Sequence, residues 1–292
     1  MFGTDFIFDK ESLSNHGMCI YDPDTEQAFA GRTLNTSDIT PDRPVQNIYS
    51  ATYDGTLELN CLIIKDENLC ETKANLEMTG DDIHYIRSWL ESPTMSELKV
   101  MQDDDDNLCT HYYGAFTNIQ PFLVATRCYG LYLTFTCNAP YGFTDEYKYV
   151  CYPNSETTLM VSNLSAEKHS YYKPVITITS SSTFDSESLS IENANDNGNT
   201  MIISMPNGKS SIIIDCEKEM VFDSDGNILP LSAIGVTSPI DDNYSFLSAD
   251  AFMFYWLRLA PNVNKLTILP STATTISKVE ITARYPVKSG GY

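Results

Sequence analysis

At 292 residues, with 42% hydrophobic and 11% aromatic content, the chain has apolar material for two folded domains and is no disordered polymer. Its 39 acidic against 18 basic residues leave a formal charge of -21. That balance argues against nucleic acid and anionic membrane surfaces as partners, because phosphate binding needs clustered Lys and Arg.

Predicted elements are mostly short strands divided by turns. The first ten residues lack the basic and apolar regions of a secretory signal, so folding in a reducing cytosol is expected. Asp54-Gly55 is a turn before a strand over 56–64. Thr79-Gly80-Asp81-Asp82 then supplies a cap and N-terminal negative charge. Ile83, Ile86 and Leu90 recur at helical spacing beside Trp89, and Ser92-Pro93 ends the run. This is one amphipathic helix packed on a sheet. Leu98 to Met101 and Cys109 to Phe116 read as a hairpin whose tip is the acidic run Asp103-Asp104-Asp105-Asp106-Asn107. A strong strand over 132–138 closes the first half.

A boundary falls over 140–158, with Pro153-Asn154-Ser155 as a hinge. The domains are expected at 1–150 and 155–292. The second half carries strands over 159–164, 175–179, 188–192, 200–205, 210–216, 219–222, 251–259, 265–269 and 276–284, without helical periodicity. Turn pairs Asn197-Gly198, Asn207-Gly208 and Asp225-Gly226 supply positive φ angles. The stretch 200–216 reads as a hairpin around Pro206-Asn207-Gly208-Lys209. Such a run of strands predicts a two-sheet sandwich. No apolar segment approaches the ~20 residues that span a bilayer.

The order of elements is that of a known family. Phe6-Ile7-Phe8-Asp9 and Ser14 to Tyr21 lead through Arg43-Pro44 into a strand pair over 48–64. The helix closing on Trp89-Leu90 and the acidic loop follow. Tyr112-Tyr113-Gly114-Ala115-Phe116, then Gly130 to Cys137, then Ala139-Pro140-Tyr141-Gly142 pass into the terminal sandwich. Over nearly its whole length the chain resembles the distal tail proteins of long, non-contractile-tailed bacteriophages. The resemblance implies a mainly β fold: a barrel- or sandwich-like belt domain with one helix, then a galectin-like β-sandwich. It also implies a homo-hexameric ring at the tail tip, docked on one side to the tail tube protein and on the other to the tail-associated hub protein. In some members the outer sandwiches hold receptor-binding proteins. Such a chain is made in the bacterial cytoplasm and leaves in the virion by lysis. Given the net charge, acidic or neutral groups are expected to line the ring, so that DNA slides through.

Candidate chemistry is sparse, and no catalytic, cofactor or metal residue is assigned. Of His16, His84, His111 and His169, none sits in a GxSxG elbow or similar frame. His16 and Cys19 are three apart but lack two further ligands, and no CxxC pair occurs among the eight cysteines. Cys61, Cys137 and Cys216 lie in apolar runs, as small core hydrophobes do. The 103–107 run lacks the Gly and distal Glu of a calcium loop, and Asp223-Ser224-Asp225-Gly226-Asn227 reads as a type I′ turn. Galectin sugar-binding runs are not reproduced at His169 to Lys173 or Trp256 to Leu259, and Trp256 is expected in the core. Tyr112, Tyr113, Phe116, Phe122, Tyr129 and Tyr132 are divided between core and subunit contacts. Two rival readings are a module recognising a cell-wall glycan and a wall-degrading enzyme; neither has a residue constellation.

Overall fold

The computed structural model describes residues 3–21, 30–39, 42, 45–67, 76–101, 110–167, 170–185, 187–235, 254–271 and 275–288. It divides into two compact units, Met1–Asp145 with Pro286–Tyr292, and Glu146–Tyr285.

The first unit begins with β1 (Asp5–Phe8), β2 (Glu11–Ser12), β3 (Met18–Tyr21), β4 (Arg32–Thr36), β5 (Ile48–Tyr53) and β6 (Glu58–Lys65). Helix α1 (Gly80–Leu90), β7 (Ser96–Met101), β8 (His111–Val124), β9 (Arg127–Cys137) and β10 (Gly142–Phe143) follow. The main sheet runs β2-β1-β7-β8-β9-β6-β3, with β10 joined to β8 through Phe143 and His111. The helix forms where its caps predict. Thr79 Oγ1 accepts from Asp82 N, and the Asp82 carboxylate accepts from Thr79 N, a reciprocal capping box. Asp82 also takes a 2.8 Å ion pair from Lys65 on β6, which ties the helix start to the sheet. Ile86 and Leu90 are fully buried with Phe6, Phe8, Leu59, Leu98 and Phe135, while Trp89 stacks on Phe6 at 5.9 Å. At Gly114 a Cβ would meet Thr136 O at 2.1 Å, so β8 approaches β9 at a distance that only glycine allows.

The second unit is a sandwich of β11 (Tyr147–Cys151), β12 (Thr157–Asn163), β13 (Val175–Ser180), β14 (Ser188–Asn193), β15 (Asn199–Ser204), β16 (Ser211–Asp215), β17 (Met220–Asp223), β18 (Ile228–Leu229), β19 (Asn262–Pro270) and β20 (Ile276–Ala283). One sheet runs β11-β20-β13-β16-β17-β18 and the other β12-β19-β14-β15. Ile176, Ile212, Ile214 and Ile281 from the first and Val161, Ile191, Ile203 and Leu266 from the second share one buried core. The final strand, β21 (Pro286–Val287), pairs with β10 in the first unit, although the sequence reading carried the second domain through to 292.

Several neighbours in sequence are not partners in space. The expected hairpin over 200–216 does not form: β15 pairs with β14 in one sheet, β16 with β13 and β17 in the other. Residues 206–209 carry the chain across the sandwich, with Gly208 at φ 78 and its N–H donated to Phe184 O. Two strands that each bury one face in the same core are served as well by this crossing as by a hairpin. Similarly β5 pairs with β4 as a separate two-stranded ribbon, whereas β6 pairs with β3 and β9. The strand expected over 251–259 is, in its described part from 254, irregular chain with one bridge, Leu259 to Tyr172. Residues 43–44 and the 103–107 run lie outside the described residues.

Candidate functional site

His16 and His111 are engaged in packing and pairing. His111, at the start of β8, faces Glu97 Oε1 at 2.8 Å through Nδ1 and Asp145 Oδ1 at 2.6 Å through Nε2. Tyr113 O–H donates to the same Glu97 oxygen at 2.8 Å. A nucleophile needs a base with a free ring nitrogen, and neither nitrogen of His111 is free. His16 ends a short 3-10 turn (Leu13–His16) and stacks on Trp89, with ring centroids 3.9 Å apart. Its Nε2 lies 3.2 Å from Glu11 Oε2, but the alignment makes no hydrogen bond. His84 is exposed on α1, and His169 lies outside the described residues. No cluster of three metal-ligating side chains occurs among the described residues.

The cysteines behave as core hydrophobes where they are buried. Burial pushes the Cys137 and Cys216 thiols up to about 12 and Cys151 to about 11, so none of the three is a thiolate at neutral pH.

Two buried carboxylates organise the sandwich loops. Asp196 is fully buried in the loop between β14 and β15. It accepts from Arg258 Nε at 2.7 Å and Nη2 at 3.1 Å, and from Tyr255 O–H at 2.6 Å. Burial opposes its ionisation, yet the hydrogen bonds from Arg258, Tyr255 and Asn199 outweigh it and hold the carboxyl at about 2. The Arg258 guanidinium also lies over the Tyr171 ring at 4.1 Å. Asp223 ends β17, and its side chain accepts from Asp225 N, Asn227 N and Lys209 Nζ. The Lys209 hydrogen bond, then those of Asn227, hold its carboxyl well below the usual range. Only Gly226 in this turn has a positive φ, 81, so the expected type I′ turn, which needs two, is not the one formed. Here Asp223 is a turn anchor whose oxygens are occupied by N–H donors.

Apolar side chains are also exposed in both units. Of the aromatics singled out in sequence, Tyr112 and Phe116 are core, Tyr113 is fixed by Glu97, and Phe122 packs edge-on against half-exposed Tyr132. Tyr129 is half-buried. Trp256 is half-buried against the sandwich core, in edge contact with Phe254, rather than fully inside. The β4–β5 ribbon contributes no residue to either buried core and exposes Leu34, Ile48 and Tyr49. Nothing in the sequence of β4 and β5 distinguishes them from strands that pack on a larger sheet.

Comparison with known proteins gives these surfaces a setting. Residues 1–139 match the family described as phage tail protein N-terminal domain, and residues 141–231 the family described as phage tail C-terminal domain. The chain belongs to the phage tail proteins. Its fold is shared with the SPP1 Dit protein, described as a paradigm of the hub adsorption apparatus in Gram-positive infecting phages. That likeness has a TM-score of 0.57 at 13% identity and covers 97% of this chain and 100% of that one. A chain of the phage P2 baseplate in its activated conformation with Ca is similar at TM-score 0.55 and 10% identity, covering 99% of both. No curated protein matches the sequence.

Proposed function

We propose that this phage tail protein is the distal tail protein of its particle, a non-enzymatic subunit that closes into a homo-hexameric ring at the tail tip. The ring joins the tail tube protein to the tail-associated hub protein. The first unit, expected over 1–150, forms the belt, and the galectin-like sandwich, expected over 155–292 and carried by Glu146–Tyr285, faces outward, where receptor-binding proteins dock. The reading rests on one observation above the rest: a two-unit fold shared end to end with a hub adsorption protein, in a chain that matches phage tail families across most of its length.

The physical logic is that a repeated head-to-tail contact whose rotation closes yields a ring. The net charge of -21 favours a lumen of acidic or neutral groups, past which DNA slides. Synthesis in the host cytoplasm and release within the virion accord with the reduced, buried thiols. Light scattering after size exclusion tests the proposal. The expected species is six times the 32.7 kDa chain, seen as rings by negative stain. A strict monomer that also fails to form rings when mixed with its tube and hub proteins overturns it.

A further inference from the structure

We infer that the distal half of the β8–β9 hairpin is an arm that seats on the β4–β5 ribbon of a second copy of this chain. The inference rests on the ring reading and names its contact.

Two observations single out the hairpin. No Asp or Glu occurs between Asp106 and Asp145, in a chain that carries 39 acids. Within that span β8 changes character at Thr117. Up to Phe116 its residues alternate between half-buried and buried, and beyond it nearly all are exposed. Past Gly114 the strand pairs only with β9 among the described strands. The tip exposes Leu123 at 57% and Val124 at 49%. Its two-residue turn, Ala125 and Thr126, holds φ 47 and 71. Such a turn favours Asn-Gly, and a β-branched residue there is strained. The tip sequence is therefore not the one that best makes the turn, as happens where side chains serve a contact.

The ribbon has the matching character. Neither β4 nor β5 contains an acid, and Leu34, Ile48 and Tyr49 stand 49 to 66% exposed. A two-stranded ribbon is marginal in water by itself, and apolar side chains exposed along it are stabilised by a cover. Charge identifies that cover. Copies at -21 repel, so they meet with least electrostatic cost where acids are absent. Arm and ribbon are two acid-poor surfaces on one chain, the carboxylates of Asp54 beside β4 and Glu77 beside the arm being engaged by Thr33 Oγ1 and Arg127. Contact between two different patches is the geometry that builds a ring. Pro121 and the register shifts on either side of it obstruct simple edge-to-edge strand addition. The contact is accordingly made by side chains, Phe122, Leu123 and Val124 against Leu34, Ile48 and Tyr49.

The test uses the full chain in two variants, Leu123→Asp with Val124→Asp on the arm, and Leu34→Asp with Ile48→Asp on the ribbon. All four sites are exposed, and circular dichroism and thermal melting check that each variant is folded. Light scattering is expected to show an oligomer for the parent and a monomer for each variant. An equimolar mixture of the two is expected to form a dimer that grows no further, since one intact arm meets one intact ribbon. Parent association is also expected to strengthen as salt screens the general repulsion, where a contact built on ion pairs would weaken. Variants that assemble like the parent overturn the arm contact and leave the ring standing. Variant-sensitive assembly into open chains keeps the contact and overturns the ring. A parent that stays monomeric at every concentration and salt level overturns the contact and the autonomous ring together.

Discussion

The two units spend their apolar surface differently. The sandwich turns Ile and Leu from both sheets into a single core and fastens its loops with buried carboxylates, Asp196 to Arg258 and Asp223 to Lys209. The first unit builds a comparable core under α1; both units also leave apolar side chains in water, Met160, Ile202 and Ile228 on the sandwich and, in the first unit, those gathered on a two-stranded ribbon and a hairpin tip. Each unit has its own core, and the proposed contact between copies falls on the ribbon and hairpin tip of the first.

Substitution in the sandwich core should break the comparison most sharply. Leu266→Ala is expected to destabilise by about 4 kcal/mol, the range for a fully buried leucine, while Leu123→Ala on the arm stays within about 0.5 kcal/mol. Denaturant unfolding of the dilute protein reads both, and similar costs at the two sites would erase the distinction. Next comes Arg258→Ala, which leaves Asp196 buried without its ion pair. A loss of about 3 kcal/mol is expected, and a loss below about 1 kcal/mol would make the pair an ornament of the surface.

The acid limb of stability sharpens the same point. The folded Asp196 carboxyl is held at about 2, below its value in an unfolded chain, so its contribution is complete above pH ~4 and disappears as pH falls toward 2. Stability measured from pH 5 to 2 should therefore fall, and Asp196→Asn should flatten that fall; an unchanged profile would locate the acid sensitivity elsewhere. The smallest effect belongs to the helix cap. Thr79→Ala is expected to lose about 1 kcal/mol from the first unit, and a neutral result would mean that packing of Ile86 and Leu90 alone holds α1.

Legibility in the sequence followed the range of the interactions. The helix was readable because Thr79, Asp82 and the Ile83-Ile86-Leu90 spacing act within a few residues of one another. Most strands were readable from alternation. Strand partnership was not, because Pro206 to Lys209 looks alike whether it joins neighbours in one sheet or crosses between two. The Asp196 to Arg258 pair was equally invisible: its members lie far apart in sequence, and one acid among 39 carries no mark of burial. The ribbon was hidden for another reason, since nothing in the sequence of β4 and β5 tells a separate two-stranded ribbon from strands of the larger sheet.

The sulfur chemistry has a consequence for a particle that leaves its cell. On the proposed reading, a tail assembled in the host's reducing interior is released into oxygenated surroundings, where exposed thiolates couple and cross-link particles into aggregates. With Cys137, Cys151 and Cys216 sealed in the two cores and kept protonated by burial, these positions offer oxidants no reactive sulfur. These three thiols are protected by packing, with no disulfide needed among them.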